Sequence, residues 1–208
     1  MKMNLPNKLT VLRLCLVPVL ILVGVLPINF YVSSVVCAVL FIGTAVTDML
    51  DGKIARKHGL ITDFGKFLDP VADKFMVIGT MFVILYKPEF AHLHTIMIFT
   101  LLIVVFRELA VTSMRLVVST GSNIVVAANS LGKIKTVSQI VAISTILLEP
   151  FVQLVTKWIA ELVVGESLAW RTDIVPLTWL TILFSVVMTV WSGVNYLAAY
   201  WKYLDTEK

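Results

Sequence analysis

Apolar runs too long for an aqueous core dominate this chain, over residues 10–26, 31–51, 68–86, 95–117, 134–148 and 175–200. A hydrocarbon layer about 30 Å thick takes about 20 helical residues to cross. Inside it only helices or closed barrels satisfy the backbone. A barrel would alternate apolar and polar side chains in pieces of about ten residues, and these runs do not. Hydrophobic residues make up 59% of the 208 and charged ones 14%, against roughly 45–50% and 25% in soluble domains. The expectation is an all-α integral membrane protein. It has six transmembrane helices, a short N-terminal interfacial segment and one domain over residues 1–208.

Several details follow from local composition. Pro18 predicts a kink in the first span, and Asn7 or Thr10 is suited to start it. No small-residue cleavage pattern precedes Pro27-Ile28-Asn29, so the first run reads as a retained span. Residues 53–66 read as a basic loop punctuated by Gly52, Gly59 and Gly65. Residues 151–170 mix apolar side chains with Lys157, Glu161 and Glu166, which predicts an outer interfacial helix or loop.

The net charge is +4, and its distribution carries more information than its size. Lys2, Lys8, Lys53, Arg56, Lys57, Lys66, Lys133, Lys135, Lys202 and Lys208 all fall on one side of a six-span topology. That places both termini and these loops in the cytoplasm by the positive-inside rule. A basic face there suits anionic lipids or anionic substrates. Nucleic acid is not expected, because the basic residues alternate with spans instead of forming one stripe. Cys15 and Cys37 each lie within an apolar run and read as small buried hydrophobes.

Against this background four aspartates stand out. Asp48 and Asp51 are three residues apart, and Asp69 and Asp73 four apart, so each pair shares a helix face. The helices bearing them run in opposite directions, which brings both pairs to the cytoplasmic boundary. Two like charges ~4 Å apart repel by roughly 4 kcal/mol at an effective dielectric near 20, so such a cluster needs counter-charge. Oxygen donors without neighbouring His or Cys suit hard divalent cations. Asp69 before Pro70 has a structural alternative as a helix cap. Asp48 and Asp51 have none, since a helix C-terminus disfavours anions. Gly52, Ala55 and Arg56 between the pairs allow close approach and a two-pronged grip on phosphate. His58, in the basic loop, reads as solvated.

The residues Asp48, Asp51, Gly52, Ala55, Arg56, Gly65, Asp69 and Asp73 meet every fixed position of the pattern Asp-x2-Asp-Gly-x2-Ala-Arg-x8-Gly-x3-Asp-x3-Asp. In this the chain resembles the CDP-alcohol phosphatidyltransferases. Asn4-Leu5-Pro6-Asn7-Lys8-Leu9-Thr10, Arg107-Glu108 and Gly132-Lys133-Ile134-Lys135-Thr136 are similar to a bacterial branch that joins CDP-diacylglycerol to glycerol 3-phosphate and releases CMP. The resemblance implies a homodimer in the bacterial cytoplasmic membrane with a cavity open to the cytoplasm. It implies two divalent cations, Mg²⁺ or Mn²⁺, on Asp48, Asp51, Asp69 and Asp73, with Asp73 also the base. Gly52, Ala55, Arg56 and Gly65 would line the CDP site.

The acceptor's phosphate needs basic partners. Arg107 lies in an apolar run where an unpaired guanidinium is costly; it faces either the cavity or an internal acid. Arg115, Lys133 and Lys135 could join it or snorkel to lipid headgroups. Glu108 is expected to hold one of these bases, and Asn7, Thr10 and Arg13 to close the pocket from the first helix. Sister enzymes making cardiolipin, phosphatidylserine or phosphatidylinositol phosphate are the near alternatives. A divalent-cation transporter is the distant one, although it would place its acids near the bilayer midplane.

Overall fold

The computed structural model describes residues 4–58, 62–122, 130–164 and 175–201. Six helices fill them: α1 Leu5–Val25, α2 Phe30–His58, α3 Asp63–Tyr86, α4 Ala91–Ser122, α5 Ser130–Val164 and α6 Val175–Tyr200. A 3₁₀ turn, Pro88–Phe90, joins α3 to α4. Among the described residues there is no strand.

Cross-helix bonds give the order of packing. Ser33 and Cys37 of α2 donate to the carbonyls of Val23 and Leu20 on α1, so α1 and α2 are antiparallel. Thr62 and Asp69 meet Asn7 and Thr10 at one end, while a Cβ on Gly24 would fall 2.3 Å from Val83 at the other. α1 and α3 therefore run side by side in the same direction. Lys135 reaches Glu108, and Gln139 and Glu149 of α5 pair with Thr189 and Thr178 of α6. The alternation of six antiparallel passes follows. Val17, Leu20, Phe41, Met76, Ile84, Met97, Ile146 and Ile182 form the middle of the bundle, each at most 3% exposed.

Five helices are long and apolar enough to cross a membrane on length and composition alone; α3 is not among them. Every stretch of α3 long enough to span carries Asp69, Asp73 and Lys74. Its contacts with α1 along the whole span place it at the same depth, so it crosses with α1. The charges that spoil its apolar count are the ones it delivers to the site. The chain is a multi-pass membrane protein.

Three boundaries differ from the sequence reading. α1 starts at Leu5, capped by Asn4, whose Oδ1 accepts from the Asn7 N–H at 3.1 Å. Asn7 and Thr10 are 8% and 2% exposed, so the N-terminal segment expected at the interface is a helical turn packed on the bundle. The basic loop is also shorter than expected. α2 continues to His58, in line with the helix-forming Lys, Ala and Arg of its last turns, and Thr62 caps α3 through the Gly65 N–H. Residues 59–61 lie outside the described set. Finally, α5 runs unbroken through Pro150 to Val164, and a Gln153 to Glu149 bond one turn apart supports it there. Residues 151–164 are thus helix α5 itself, about 52 Å long at 1.5 Å per residue; residues 165–170 lie outside the described set.

α1 is likewise a single helix through Pro18.

Candidate active site

Two helix pairings bring the acids together. Asp48 sits in α2 about ten residues before its end, and Asp69 and Asp73 sit in the second and third turns of α3. The capping role open to Asp69 in the sequence is taken by Thr62. Asp69 therefore has no capping duty, and Pro70 lies inside α3. Asp48 and Asp73 interact side chain to side chain, and Asp69 is near enough for its charge to act on Asp48. Asp51 lies one turn beyond Asp48 on α2, and its side chain is outside the described set, as are those of Ala55 and Arg56.

Helix α1 supplies the counterpart. Asn7, Thr10 and Arg13 recur every three residues, so they share the face turned to α3. Asn7 Oδ1 accepts from the Thr62 hydroxyl at 2.9 Å. The Thr10 hydroxyl donates to Asp69 Oδ1 at 2.6 Å. Arg13 Nη1 lies 2.8 Å from Asp48 Oδ1 and 3.5 Å from Asp73 Oδ1. The Arg13 side chain is 1% exposed, whereas those of Asp48 and Asp73 are 38% and 42% exposed. The guanidinium is thus sealed beneath carboxylates that still face open space. A Cβ on Gly65 would lie 3.1 Å from Asn7 Oδ1, so glycine there lets α1 close on α3; Thr62 Oγ1 follows at 3.4 Å and Asp69 Oδ2 at 3.8 Å. Gly52 is half-buried on α2.

Among the described residues, no group of three or more His, Cys, Asp and Glu side chains is arranged to hold a metal ion as it stands. Two of the acids point their Oδ1 atoms at Arg13 and the third at Thr10, which accounts for this despite their closeness. The donor chemistry itself, carboxylate oxygen from two facing helices, fits a hard divalent cation.

Two cavities meet beside the acids. One, about 270 Å³, is lined by Asp69, Asp73, Lys74, Arg107, Glu108, Thr112, Arg115 and Lys135. The other, about 770 Å³, is a groove along α2 and α5. Asp48, Arg107, Arg115 and Lys133 mark its polar end, and Ile42, Val46, Val137, Val141 and Leu148 line its apolar length. Arg107, Val111, Arg115 and Thr136 belong to both.

The basic residues are held differently. Arg107 Nη1 bonds Glu108 Oε1 at 3.0 Å and its Nη2 bonds Ser192 Oγ at 2.8 Å. Both alternatives for Arg107 therefore hold together: it has an acidic neighbour and it faces both cavities. Its buried Nε has no partner among the described residues. Lys135, 7% exposed, is tied to Glu108 and does not snorkel. Glu108 thus holds two bases, where the sequence predicts one. Arg115 lies 3.5 Å from the Tyr196 hydroxyl, and Lys133 is exposed at the mouth of the groove.

Sequence reasoning missed Lys74, whose Nζ donates to Thr112 Oγ1 at 2.6 Å in the smaller cavity. Its position beside Asp73 in an otherwise apolar stretch was the available signal. It also missed α6, where Ser192 and Gly193 seat Arg107. A small-residue pair inside an apolar span marks a close helix crossing.

Comparison with known proteins assigns the chain to a family. The profile of the CDP-alcohol phosphatidyltransferase family matches residues 3–191. A protein of Bacillus subtilis (strain 168) named CDP-diacylglycerol–glycerol-3-phosphate 3-phosphatidyltransferase is 37% identical, over 98% of both chains. Proteins of the same name from Yersinia enterocolitica and Wigglesworthia glossinidia brevipalpis are 32% and 36% identical. The former match covers 97% of both chains, the latter 82% of this chain and 91% of its relative. With the matched profile spanning the acids of α2 and α3 and the bases of α4 and α5, this chain belongs to the CDP-alcohol phosphatidyltransferase family.

Proposed function

We propose that this chain transfers the phosphatidyl group of CDP-diacylglycerol to sn-glycerol 3-phosphate, giving phosphatidylglycerophosphate and CMP. One observation carries the reading: an apolar groove reaching Asp48 and a basic polar cavity reaching Asp69 and Asp73 adjoin at Arg107, Val111, Arg115 and Thr136. A lipid donor and a phosphorylated water-soluble acceptor need two such compartments sharing one reactive point. The names of the relatives supply the acceptor.

In this reading the diacylglycerol of the donor lies along α2 and α5, and Gly52, Ala55, Arg56 and Gly65 line the space for its CDP. Arg107, Arg115, Lys133 and Lys135 orient the acceptor's phosphate, and the spare Nε of Arg107 is a donor available to it. Asp73 takes the proton of the C1 hydroxyl as its oxygen bonds the β-phosphorus and the bond to CMP breaks. Asp48, Asp51, Asp69 and Asp73 would hold two divalent cations, Mg²⁺ or Mn²⁺, which neutralise charge on the pyrophosphate when bound. The whole chain would act as one domain in the bacterial cytoplasmic membrane, with the acids facing the cytoplasm as the basic termini and loops suggest. A homodimer would cover the aromatic stripe Phe64, Phe67, Phe75 and Phe82 of α3, which is left exposed among the described residues.

The test offers purified protein CDP-diacylglycerol with labelled glycerol 3-phosphate, serine, inositol phosphate or phosphatidylglycerol, with and without EDTA. Product from glycerol 3-phosphate alone, lost on chelation and restored by Mg²⁺, is expected. Product from another acceptor alone assigns a sister activity, and turnover that survives chelation removes the metal roles.

A further inference from the structure

A buried cation is built in beneath the acid cluster. Arg13 is the one charged residue of α1 beyond its first turns, and it is 1% exposed in the middle of an apolar helix. Burying a guanidinium costs several kcal/mol unless it is well paired. Its pairing is with Asp48 of α2 and Asp73 of α3 at once, both through Nη1. A single side chain of a third helix thus bonds one acid from each of the two helices whose carboxylates must converge. Thr10, one turn earlier, fixes Asp69 in the same way.

We propose that Arg13 is a resident counter-charge and positioning residue of the acid cluster. It draws Asp48 and Asp73 together across α2 and α3 whether or not a divalent cation is bound, and it tempers cation affinity by competing for their Oδ1 atoms. The inference rests on the reading of Asp48 and Asp73 as cation ligands. Two consequences follow. Without Arg13 the acids repel each other unless a cation joins them, so the packing of α1, α2 and α3 becomes dependent on added metal. The same loss frees two oxygen atoms, so cations bind tighter although catalysis falls.

The experiment measures thermal unfolding of purified wild type, Arg13→Gln and Arg13→Lys in EDTA and in Mg²⁺, together with Mn²⁺ titration followed by electron paramagnetic resonance. Arg13→Gln is expected to unfold at a lower temperature than wild type in EDTA. Mg²⁺ should raise its Tm by at least about twice the wild-type increment, since binding to the folded state alone stabilises more the tighter it is, as the logarithm of one plus the ratio of concentration to Kd. Its Mn²⁺ affinity should rise about tenfold, with Arg13→Lys in between because a strongly hydrated ammonium on a flexible, shorter stem keeps the charge but holds the two acids less firmly. If Arg13→Gln folds only when Mg²⁺ is present throughout purification, the proposal stands on that result. If it folds under neither condition, the Arg13→Lys titration decides, and unchanged or weaker Mn²⁺ affinity overturns the proposal. Equal Mg²⁺ increments in wild type and Arg13→Gln also overturn it. A wild type that binds neither Mn²⁺ nor Mg²⁺ overturns instead the ligand assignment on which it rests.

Discussion

Arg107 of α4 donates from Nη2 to the Ser192 hydroxyl of α6 at 2.8 Å, so the helix that ends the bundle fixes a cation at the junction of both cavities. Ser192 is itself 3% exposed, and the bond leaves little freedom for the guanidinium plane. A hydrogen bond to a charged group contributes about 1.5–3 kcal/mol. Ser192→Ala is therefore expected to raise KM for glycerol 3-phosphate about tenfold and leave KM for CDP-diacylglycerol within twofold. Steady-state kinetics with each substrate varied in turn would check this. Equal effects on both would place Arg107 outside the acceptor site.

Gly193 tests the same seat by steric means. A Cβ there would come 3.1 Å from Arg107 Cγ and 3.9 Å from its Cβ, tighter than ordinary contact, and the Arg107 stem must shift to admit it. Overpacking of this kind costs about 1–3 kcal/mol. Gly193→Ala should raise the acceptor KM several-fold with unaltered membrane insertion. A variant indistinguishable from wild type would show that the stem relaxes freely.

Glu108 joins two bases that otherwise repel each other: Arg107 at 3.0 Å and Lys135, both largely buried. Removing one partner of a buried ion pair costs about 3–5 kcal/mol, whereas removing both partners costs much less. Glu108→Gln is expected to lower the unfolding temperature sharply in detergent. Glu108→Gln combined with Lys135→Met should recover most of the loss while leaving transfer impaired. Strictly additive destabilisation would mean the two side chains are energetically independent.

The acids and most of the bases were legible in the sequence because charge in an apolar run is expensive and spacing fixes its helix face. Asp48, Asp69 and Asp73 converge because α2 and α3 both pack on α1, one antiparallel and one parallel to it. What was not legible depended on which helices touch. Arg13 looked like a residue near the pocket, and only the parallel course of α1 and α3 shows it bonding two acids. Ser192 and Gly193 are unremarkable small residues until α6 is laid beside α4. Boundaries suffered for a different reason. Polar composition suggested a loop at residues 53–66 and an interfacial helix or loop at 151–170, yet Lys, Arg, Glu and Gln are good helix formers, and α2 and α5 simply continue as helix to His58 and Val164.

Turnover should depend steeply on each acid of α2 and α3, but not on each bond that holds it. Asp48→Asn and Asp69→Asn keep size and shape and remove charge, so activity should fall at least a thousandfold, about 4 kcal/mol of barrier. Thr10→Val removes the 2.6 Å bond to Asp69 together with a 3.1 Å bond to the Pro6 carbonyl within α1 and should cost about tenfold. Raising Mg²⁺ should rescue Thr10→Val in part and Asp69→Asn not at all. Near-normal turnover in Asp69→Asn at ordinary Mg²⁺ would remove Asp69 from the ligand set.

A second buried acid lies at the opposite end of the bundle and separates stability from chemistry. Glu149 of α5 is 3% exposed. Its Oε2 accepts from the Thr178 hydroxyl at 2.7 Å, and its Oε1 accepts from Gln153 Nε2 at 3.2 Å and lies 3.3 Å from His92 Nε2. It thereby joins α4, α5 and α6, the three helices that carry Arg107, Lys135 and Ser192, at the end of the bundle far from those residues. Glu149→Ala leaves the Thr178 hydroxyl, 0% exposed as a residue, without its acceptor, and an unsatisfied buried polar group costs about 1–3 kcal/mol. The expected outcome is a lower unfolding temperature with kcat and both KM values unchanged below the transition. Thr178→Ala alone should destabilise less than Glu149→Ala, because it leaves the carboxylate two of its three partners. A drop in kcat at temperatures where Glu149→Ala is fully folded would mean instead that the far end sets the geometry of the acids.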